Sequence, residues 1–227
     1  MRKLFIPALT ALGLSSGALH AASMTVNYQK SGNPFGNEGL YLPVTIDSEV
    51  YDGTFNAGGF AMTSEPLGEF FAFCIEVTQA LRNGATYESV SNPFTDAVLA
   101  NIEGLFNSAY DNVTDKVTSA AFQVAMWEIV EDTATGFDLS AGAFSAIDAS
   151  TFSGSVIDTA QGFLDGLATA PTGLFEVNYL LSPTSQDLVT AQRVTPPAAV
   201  PVPASGLLLL SAGVFLASRR RNTKPVS

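Results

Sequence analysis

Two residue types limit the nucleophilic chemistry that this sequence can support. Cys74 is the only cysteine among 227 residues, and His20 is the only histidine. His20 lies in an N-terminal segment that has the pattern of a cleaved export signal, described below, so the remaining chain contains no histidine. Nucleophiles of the Cys–His and Ser–His–Asp kinds are therefore excluded, and so are zinc sites built from histidine and cysteine.

Cys74 lies in a strongly apolar run, Phe70 to Ile75. Exported proteins normally pair their cysteines or avoid them, and a single exposed thiol outside the cell is open to oxidation. The residues alone leave three interpretations. The thiol is an inert buried group, it forms an intermolecular disulfide, or its sulfur is acylated by a side chain of the same domain.

The sequence around Cys74 predicts strands, because β-branched and aromatic residues are interrupted by Gly, Asn and Pro. The predicted strands cover residues 25–29, 41–46, 53–62 and 69–79. Side chains alternate between the two faces of a strand. In the last strand the face expected to form the core contains Phe71, Phe73, Ile75 and Val77, and the opposite face contains Ala72, Cys74, Glu76 and Thr78.

Apolar residues at helical spacing predict three helices, over residues 95–108, 115–131 and 155–168, with a loop over residues 133–153. Gln123 lies in the middle of the second helix, among small residues that include Ala125. Strands return at residues 174–181 and 187–194. This order predicts an α+β domain with an antiparallel β-sandwich or barrel-like sheet, an inserted helical subdomain, and a last hairpin that rejoins the first sheet.

The two ends of the chain do not belong to this domain. A basic start, an apolar stretch and small residues predict a signal peptide over residues 1–22, cleaved after Ala21 or Ala22. The exported domain should cover residues 23–195, followed by a proline-rich linker over residues 196–203. An apolar segment, residues 204–218, precedes a basic tail, residues 219–227. This order predicts a short transmembrane segment with a cytoplasmic tail.

The charge between the two ends is strongly acidic. Four basic residues stand against 21 acidic ones in residues 23–195, a balance of −17. Nucleic acid is therefore excluded as a partner, because nothing neutralises its phosphates. The acidity favours solubility outside the cell, and no loop has the ligand spacing of a calcium site.

Two short motifs resemble those of the Cys–Gln thioester domains on bacterial surface adhesins. Phe73-Cys74-Ile75-Glu76 resembles their aromatic–Cys–aliphatic–acid motif, in which Asp is more usual than Glu at the last position. Phe122 to Glu128 resembles a motif of a hydrophobic residue, Gln, any residue, Ala, an aliphatic residue and Trp. The resemblance extends loosely from about Tyr51 to Val189. It implies a thioester between Cys74 and Gln123, supported by Phe73, Glu76, Phe122, Ala125, Trp127 and Glu128.

A thioester of this kind forms when a thiolate attacks a carboxamide carbon and expels ammonia, so the fold must hold sulfur and carbon in contact. Aromatic neighbours are expected to exclude water, and Glu76 or Glu128 to relay protons. Backbone N–H groups must stabilise the oxyanion, at positions that the sequence does not locate. An incoming lysine or polyamine would then displace Cys74 and become amide-bonded to Gln123.

The C-terminal tail resembles the PEP-CTERM sorting tails of Gram-negative bacteria, in the variant with a Val-Pro-Leu-Pro-Ala signature. Val202 stands where that signature has leucine. The matching residues are Val200, Pro201, Pro203, Ala204, Arg219, Arg220 and Arg221. The resemblance implies transit through the inner membrane, processing by an exosortase-type enzyme, and delivery to the cell surface or extracellular matrix.

The function expected from these features is covalent capture of amine nucleophiles by an exported surface protein, for adhesion or matrix attachment. The protein would not be a turnover enzyme, because each molecule reacts once, and no cofactor or metal is expected. The alternative is a non-covalent structural protein of a biofilm or extracellular matrix, in which Cys74 is inert or disulfide-linked.

Overall fold

The computed structural model describes residues 23–29, 35, 40–132, 136–149 and 156–195. The chain divides into two compact units, Met1–Val194 and Thr195–Ser227, and Thr195 is the part of the second unit that is described. The predicted signal peptide, linker, transmembrane segment and sorting residues lie outside the described residues. Within the described ranges, no helix combines the length and apolar character needed to span a membrane.

Strands dominate both ends of the described domain, and helices occupy its middle. The strands are β1 (Ser23–Tyr28), β2 (Tyr41–Ser48), β3 (Asp52–Gly58), β4 (Phe60–Ser64), β5 (Gly68–Cys74), β6 (Ala85–Val90), β7 (Phe144–Asp148), β8 (Phe175–Leu181) and β9 (Leu188–Arg193). The helices are α1 (Asp96–Ala109), α2 (Lys116–Glu131) and α3 (Val156–Asp165), with short 3-10 turns at Tyr110–Asn112 and Gly166–Thr169. The α+β prediction and the three predicted helices are confirmed.

Six antiparallel strands close into a barrel in the order β1-β4-β5-β9-β8-β6. The last hairpin, β8 with β9, completes this barrel by pairing with β6 and β5, as the sequence predicted. The other three strands form a separate antiparallel sheet in the order β3-β2-β7. The predicted sheet is therefore barrel-like, with a second small sheet beside it.

Two apolar cores lie on either side of β5. Inside the barrel, Cys74 and Ala72 pack with small and aliphatic residues and with the Tyr87 ring. On the outer side, Phe73 joins the core that the three helices form with the second sheet. The aromatic face of the strand thus belongs to the core, as predicted. The face that carries Cys74 is equally buried, because the closed barrel shields it from water.

The second helix is fixed at its start by a reciprocal cap. The Asp115 side chain accepts a hydrogen bond from the Thr118 N–H, and the Thr118 hydroxyl accepts one from the Asp115 N–H. These contacts satisfy backbone groups that a helix start leaves unpaired. From Ser119 to Ile129 the helix is buried without interruption, which explains why α2 is apolar on nearly all sides.

Three details of the predicted strands were wrong, and the strand β6 (Ala85–Val90) was not predicted. Residues 53–62 form two strands rather than one, because the chain leaves the small sheet and enters the barrel at Gly58 and Gly59. Gly58 has a φ of +149°, and a Cβ there would lie 2.2 Å from the Leu40 carbonyl oxygen. A Cβ on Gly59 would lie 2.4 Å from the Phe71 ring. Only glycines permit this crossing.

The other two errors concern strand extent. The strand predicted over residues 69–79 ends at Cys74, and the chain beyond it crosses the end of the barrel. The predicted loop over residues 133–153 contains β7, whose five residues pair with β2 over a long sequence distance. Neither feature has a local cause, since both depend on where a distant strand lies.

Candidate functional site

Cys74 is held at the end of β5, where the two neighbouring strands differ in length. On one side it pairs with Leu188 of β9, and the next residue, Ile75, donates its N–H to the Asp187 carbonyl at 3.1 Å. On the other side β4 begins at Phe60, which pairs with Ala72, so the described part of β4 does not reach Cys74. The N–H and C=O of Cys74 on that side therefore face no strand.

The side chain of Gln123 occupies the place that a strand would fill. The Cys74 N–H donates to Gln123 Oε1 at 2.9 Å, and Gln123 Nε2 donates to the Cys74 carbonyl oxygen at 2.8 Å. The carboxamide thus pairs with Cys74 as a peptide group of a neighbouring strand would. Cys74 is 2% exposed and Gln123 is 0% exposed, so the pair is closed to bulk water.

The helix that carries Gln123 makes a second bond of the same kind. Ser119, one turn earlier on α2, accepts a hydrogen bond from the Gly59 N–H at 2.9 Å. Residues four apart lie on one face of a helix, so Ser119 and Gln123 together satisfy backbone groups of Gly59, between β3 and β4, and of Cys74, at the end of β5. These hydrogen bonds place polar side chains on one face of a helix that is otherwise mostly apolar. The sequence motifs did not indicate Ser119 or Gly59.

Aromatic rings cover the helix side of the pair. The Phe73 and Phe122 ring centroids lie 4.5 Å apart, and Phe122 also contacts Phe106 at 5.1 Å. Phe73 and Phe122 are completely buried, and Trp127 is 3% exposed. The structure therefore buries all three aromatic residues in the core that contains Gln123's helix, with Phe73 and Phe122 in contact with each other. Ala125 is also buried, and its small side chain belongs to the same core.

The environment of the Cys74 thiol opposes ionisation. Burial raises its pKa well above the usual value, and the negative charge of Glu76 raises it further. The sulfur therefore rests as a neutral thiol. Since the thiolate is the attacking species, any acylation of this sulfur requires a group that removes its proton as the bond forms.

The two predicted proton relays lie in different surroundings. Glu76 follows Cys74 by two residues, and its carboxylate accepts hydrogen bonds from the N–H groups of Thr78 at 3.1 Å and Asp187 at 3.3 Å. Burial raises the Glu76 pKa, and those two bonds oppose that rise. The carboxylate is thus half-buried, and its charge is close enough to the thiol to raise the thiol pKa.

Glu128 is completely buried on α2 and faces the segment that follows the helix. Its Oε1 accepts the Asp138 N–H at 3.0 Å, and its Oε2 has no hydrogen-bond partner among the described residues. Burial raises its pKa to about 7, with Asp132 and Asp138 adding to the rise. The Glu128 carboxylate thus bonds the segment after the helix, whereas Gln123 on the same helix bonds Cys74, and no described hydrogen bond links Glu128 to the candidate site.

The described ranges also bear on metal binding and on surface cavities. No group of three or more His, Cys, Asp or Glu residues there has the arrangement of a metal site. A surface cavity of about 450 Å³ between α1 and β8 is lined by Leu99, Glu103, Phe175 and Tyr179 among others, and neither Cys74 nor Gln123 lines it.

Comparison with known proteins gives structural similarities at low identity. No family model matches the chain, and no curated protein matches its sequence. The N-terminal domain of the Streptococcus pyogenes pilus tip adhesin Cpa is 13% identical over 74% of this chain and 99% of that one, with a TM-score of 0.43. The N-terminal thioester domain of a Clostridium perfringens surface protein is 12% identical over 76% and 100%, with a TM-score of 0.42.

A third similar structure is the thioester domain of the Staphylococcus aureus TIE protein. It is 11% identical over 74% of this chain and 77% of that one, with a TM-score of 0.41. What Cys74 and Gln123 do in this chain is therefore argued from their own contacts.

Proposed function

We propose that Cys74 and Gln123 form an internal thioester, and that the protein uses it to capture amines covalently at the bacterial surface. The observation that carries this proposal is the pair of hydrogen bonds between the Gln123 carboxamide and Cys74, in a site closed to water. The carboxamide carbon is held against the one residue of the chain that bears a thiol.

The two hydrogen bonds suit the chemistry as well as the position. Attack of sulfur on the amide carbon places negative charge on Oε1, which already accepts the Cys74 N–H. A backbone donor placed at the developing charge is the usual form of oxyanion stabilisation. Nε2, the nitrogen that leaves, is bonded to the Cys74 carbonyl oxygen. The thiol hydrogen and the NH₂ group depart together as ammonia, and the C–S bond replaces the C–N bond.

Rigid supports on both sides favour this reaction, and burial opposes hydrolysis of its product. Cys74 lies on a paired strand and Gln123 on a buried, capped helix, so little motion remains to be lost when the bond forms. Burial also protects the product, because Phe73, Phe122 and Trp127 keep water from the acyl carbon.

Capture would consume the bond. A primary amine attacks the acyl carbon of Gln123, the C–S bond breaks, and Cys74 regains its thiol. The partners proposed are lysine side chains or polyamines on a cell or matrix surface, and the protein acts once rather than as a turnover enzyme. The sorting tail proposed for residues 200–221 would deliver it there, through the inner membrane and an exosortase-type enzyme.

The test is the intact mass of the purified protein. The wild type should weigh one ammonia less than its sequence, and Cys74→Ala should have its full calculated mass. Incubation with methylamine at neutral pH should then add one methylamine to Gln123 and release one thiol for each adduct. Gln161→Ala is the matched control, because Gln161 is another helical glutamine that bonds backbone groups and its loss should leave the ammonia deficit unchanged.

The rival proposal is a structural amide and an inert thiol. It accounts for the same hydrogen bonds, since Gln123 satisfies two buried backbone groups of Cys74. It expects a wild-type protein of full mass whose thiol titrates one-to-one after unfolding. That result would end the thioester proposal and leave a non-covalent matrix protein as the better interpretation.

A further inference from the structure

The proposed thioester poses a problem of proton transfer that the Cys74–Gln123 pair does not solve. The sulfur must lose a proton when the bond forms and regain one when an amine opens it. Burial and the Glu76 charge raise the Cys74 pKa well above its usual value. A free thiolate is therefore unfavourable both when the thioester forms and when an amine opens it. A neighbouring group must accept and return this proton.

Among the described residues, the hydroxyls on the barrel side of Cys74 are poorly suited to the task. Tyr87 donates its O–H to the Gln186 carbonyl at 2.8 Å, and Tyr28 donates to the Leu81 carbonyl at 3.0 Å. Burial raises the Tyr87 pKa to about 12 and also raises that of Tyr28. Both hydroxyls thus hold their protons and donate them to carbonyl groups, and the Tyr87 oxygen is already in a hydrogen bond with the Ser185 hydroxyl at 2.8 Å.

Unlike the tyrosine hydroxyls, the Glu76 carboxylate can accept a proton, and Glu76 follows Cys74 by only two positions. Its main-chain carbonyl accepts a hydrogen bond from Gln186 Nε2 at 2.7 Å, and its carboxylate is oriented by the Asp187 and Thr78 N–H groups. These bonds pin the residue across the end of the barrel, two positions after Cys74. Each carboxylate oxygen can accept more than one hydrogen bond, so both retain capacity for a proton.

The outer side of Glu76 is acidic and partly open to solvent. Glu131 of α2, Tyr51 before β3 and Asp187 after β8 face the Glu76 carboxylate closely enough for their charges to interact. The Tyr51 hydroxyl is buried and has no hydrogen-bond partner among the described residues.

We propose that Glu76 is the proton carrier of the thioester, and so deepen the function proposed above, on which this inference rests. During formation the carboxylate takes the thiol proton, sulfur attacks the Gln123 carbon, and the carboxylic acid returns the proton to the departing NH₂ as ammonia. During capture the carboxylate takes a proton from the alkylammonium ion. The neutral amine attacks, and the acid protonates the sulfur as the C–S bond breaks; the second proton on nitrogen leaves to solvent.

The test measures thioester formation in three variants. Ammonium at alkaline pH in guanidinium chloride opens the thioester to the original amide and thiol, and the protein is refolded into ammonia-free buffer. Formation is followed by thiol loss and by the loss of one ammonia in mass. Glu76→Gln should form the bond at least about a hundredfold more slowly than the wild type. Glu128→Gln, the matched control, should form it at the wild-type rate.

The pH profile separates proton transfer from a structural role. In the wild type the rate should level off once Glu76 is ionised, because the carboxylate then accepts the proton. In Glu76→Gln it should rise about tenfold per pH unit, since hydroxide must do so instead. Glu76→Asp, which keeps a carboxylate, should recover the levelling. If thermal melting shows that Glu76→Gln has not refolded, the pH profiles of the wild type and Glu76→Asp decide the question.

Two failures are distinguishable. A wild-type protein that never loses ammonia would overturn the thioester itself. A wild type that loses ammonia, with Glu76→Gln matching its rate and pH profile, would leave the thioester in place and remove Glu76 from its proton chemistry.

Discussion

Two glutamine side chains of this domain clamp the backbone in similar ways, yet only one lies beside a thiol. Gln123 on α2 bonds the N–H and C=O of Cys74. Gln161 on α3 accepts the Leu139 N–H at 3.1 Å and donates to the Phe137 carbonyl at 2.9 Å. The clamp itself therefore occurs at two places in the described domain, and one of them has no thiol beside it.

The surroundings of the two clamps differ in the properties that acyl chemistry needs. Gln123 is completely buried, and both of its bonds go to one residue at the end of a paired strand. Gln161 is partly exposed, bonds two different residues, and shares its Nε2 with the Asp165 carboxylate. A carboxamide becomes a candidate reagent through burial, a single rigid partner and an adjacent thiol, rather than through its hydrogen bonds alone.

The largest effect expected concerns the aromatic cover. Phe122→Ala should lower the free energy of unfolding by about 3–5 kcal/mol, because it removes a fully buried ring. It should also admit water, so that the thioester hydrolyses within the storage time of the wild type. Hydrolysis would leave a carboxylate on the side chain of residue 123 and a free thiol on Cys74, and both are detected by mass and thiol titration.

Met62→Ala provides the contrast, since Met62 is completely buried inside the barrel rather than against Phe122. We expect a loss of about 2–5 kcal/mol in thermal or denaturant unfolding without faster hydrolysis in the native protein. Equal hydrolysis in both variants, measured by mass, would show that stability rather than local cover protects the bond.

A smaller effect separates the two clamps. Gln123→Ala should be less stable than Cys74→Ala by about 2–4 kcal/mol, because it leaves the buried N–H and C=O of Cys74 without partners. Cys74→Ala is the proper reference, since it keeps both bonds and also lacks the cross-link. The Gln123→Ala variant should expose one thiol to titration after unfolding.

Gln161→Ala should lose only about 1 kcal/mol, because the Gln161 amide is itself partly exposed and water can take its place at these backbone groups. Denaturant unfolding of the three variants measures all of these differences. A Gln161→Ala loss as large as that of Gln123→Ala would contradict the contrast drawn between buried and partly exposed clamps.

The smallest effect is a pH dependence at Glu128, which holds the same segment as Gln161 through the Asp138 N–H. Its pKa of about 7 in the folded state lies above the ordinary value near 4.5. Between these two values the folded protein binds the extra proton, so its contribution favours folding at pH 5 and is lost as pH rises through about 7. Melting temperatures at pH 5 and pH 8 should differ less in Glu128→Gln than in the wild type.

The sequence predicted the paired residues of the site better than it predicted their setting. The motifs around Cys74 and Gln123 placed one on a strand and the other on a buried helix, and the structure brings them into contact. The backbone donor that we propose for the oxyanion was not located, because it is the N–H of Cys74 itself, which is left without a strand partner only where β4 stops short. Strand length in a closed barrel depends on distant partners, which local periodicity does not record.

Local residue preferences also gave a wrong prediction for the segment after Cys74. Val77 and Thr78 favour a strand by type, yet the chain has already left the ladder at Cys74. Glu76 therefore projects from the connection across the barrel end, where the Asp187 N–H holds it. The sequence treated Glu76 and Glu128 as equivalent acids, and only the three-dimensional arrangement separates them.

The closed barrel has a mechanical consequence for the ligand capture that we propose. Gln123 lies after strands β1 to β6, and the described chain leaves the barrel through β9, which is paired on both sides by β5 and β8. A load pulling between a ligand on Gln123 and the C-terminal end of β9 would stretch the α2-to-β9 part of the chain and slide β9 lengthwise between its neighbours. Antiparallel strands loaded in that direction must break many hydrogen bonds together, so the tether would resist force as a unit rather than unzip.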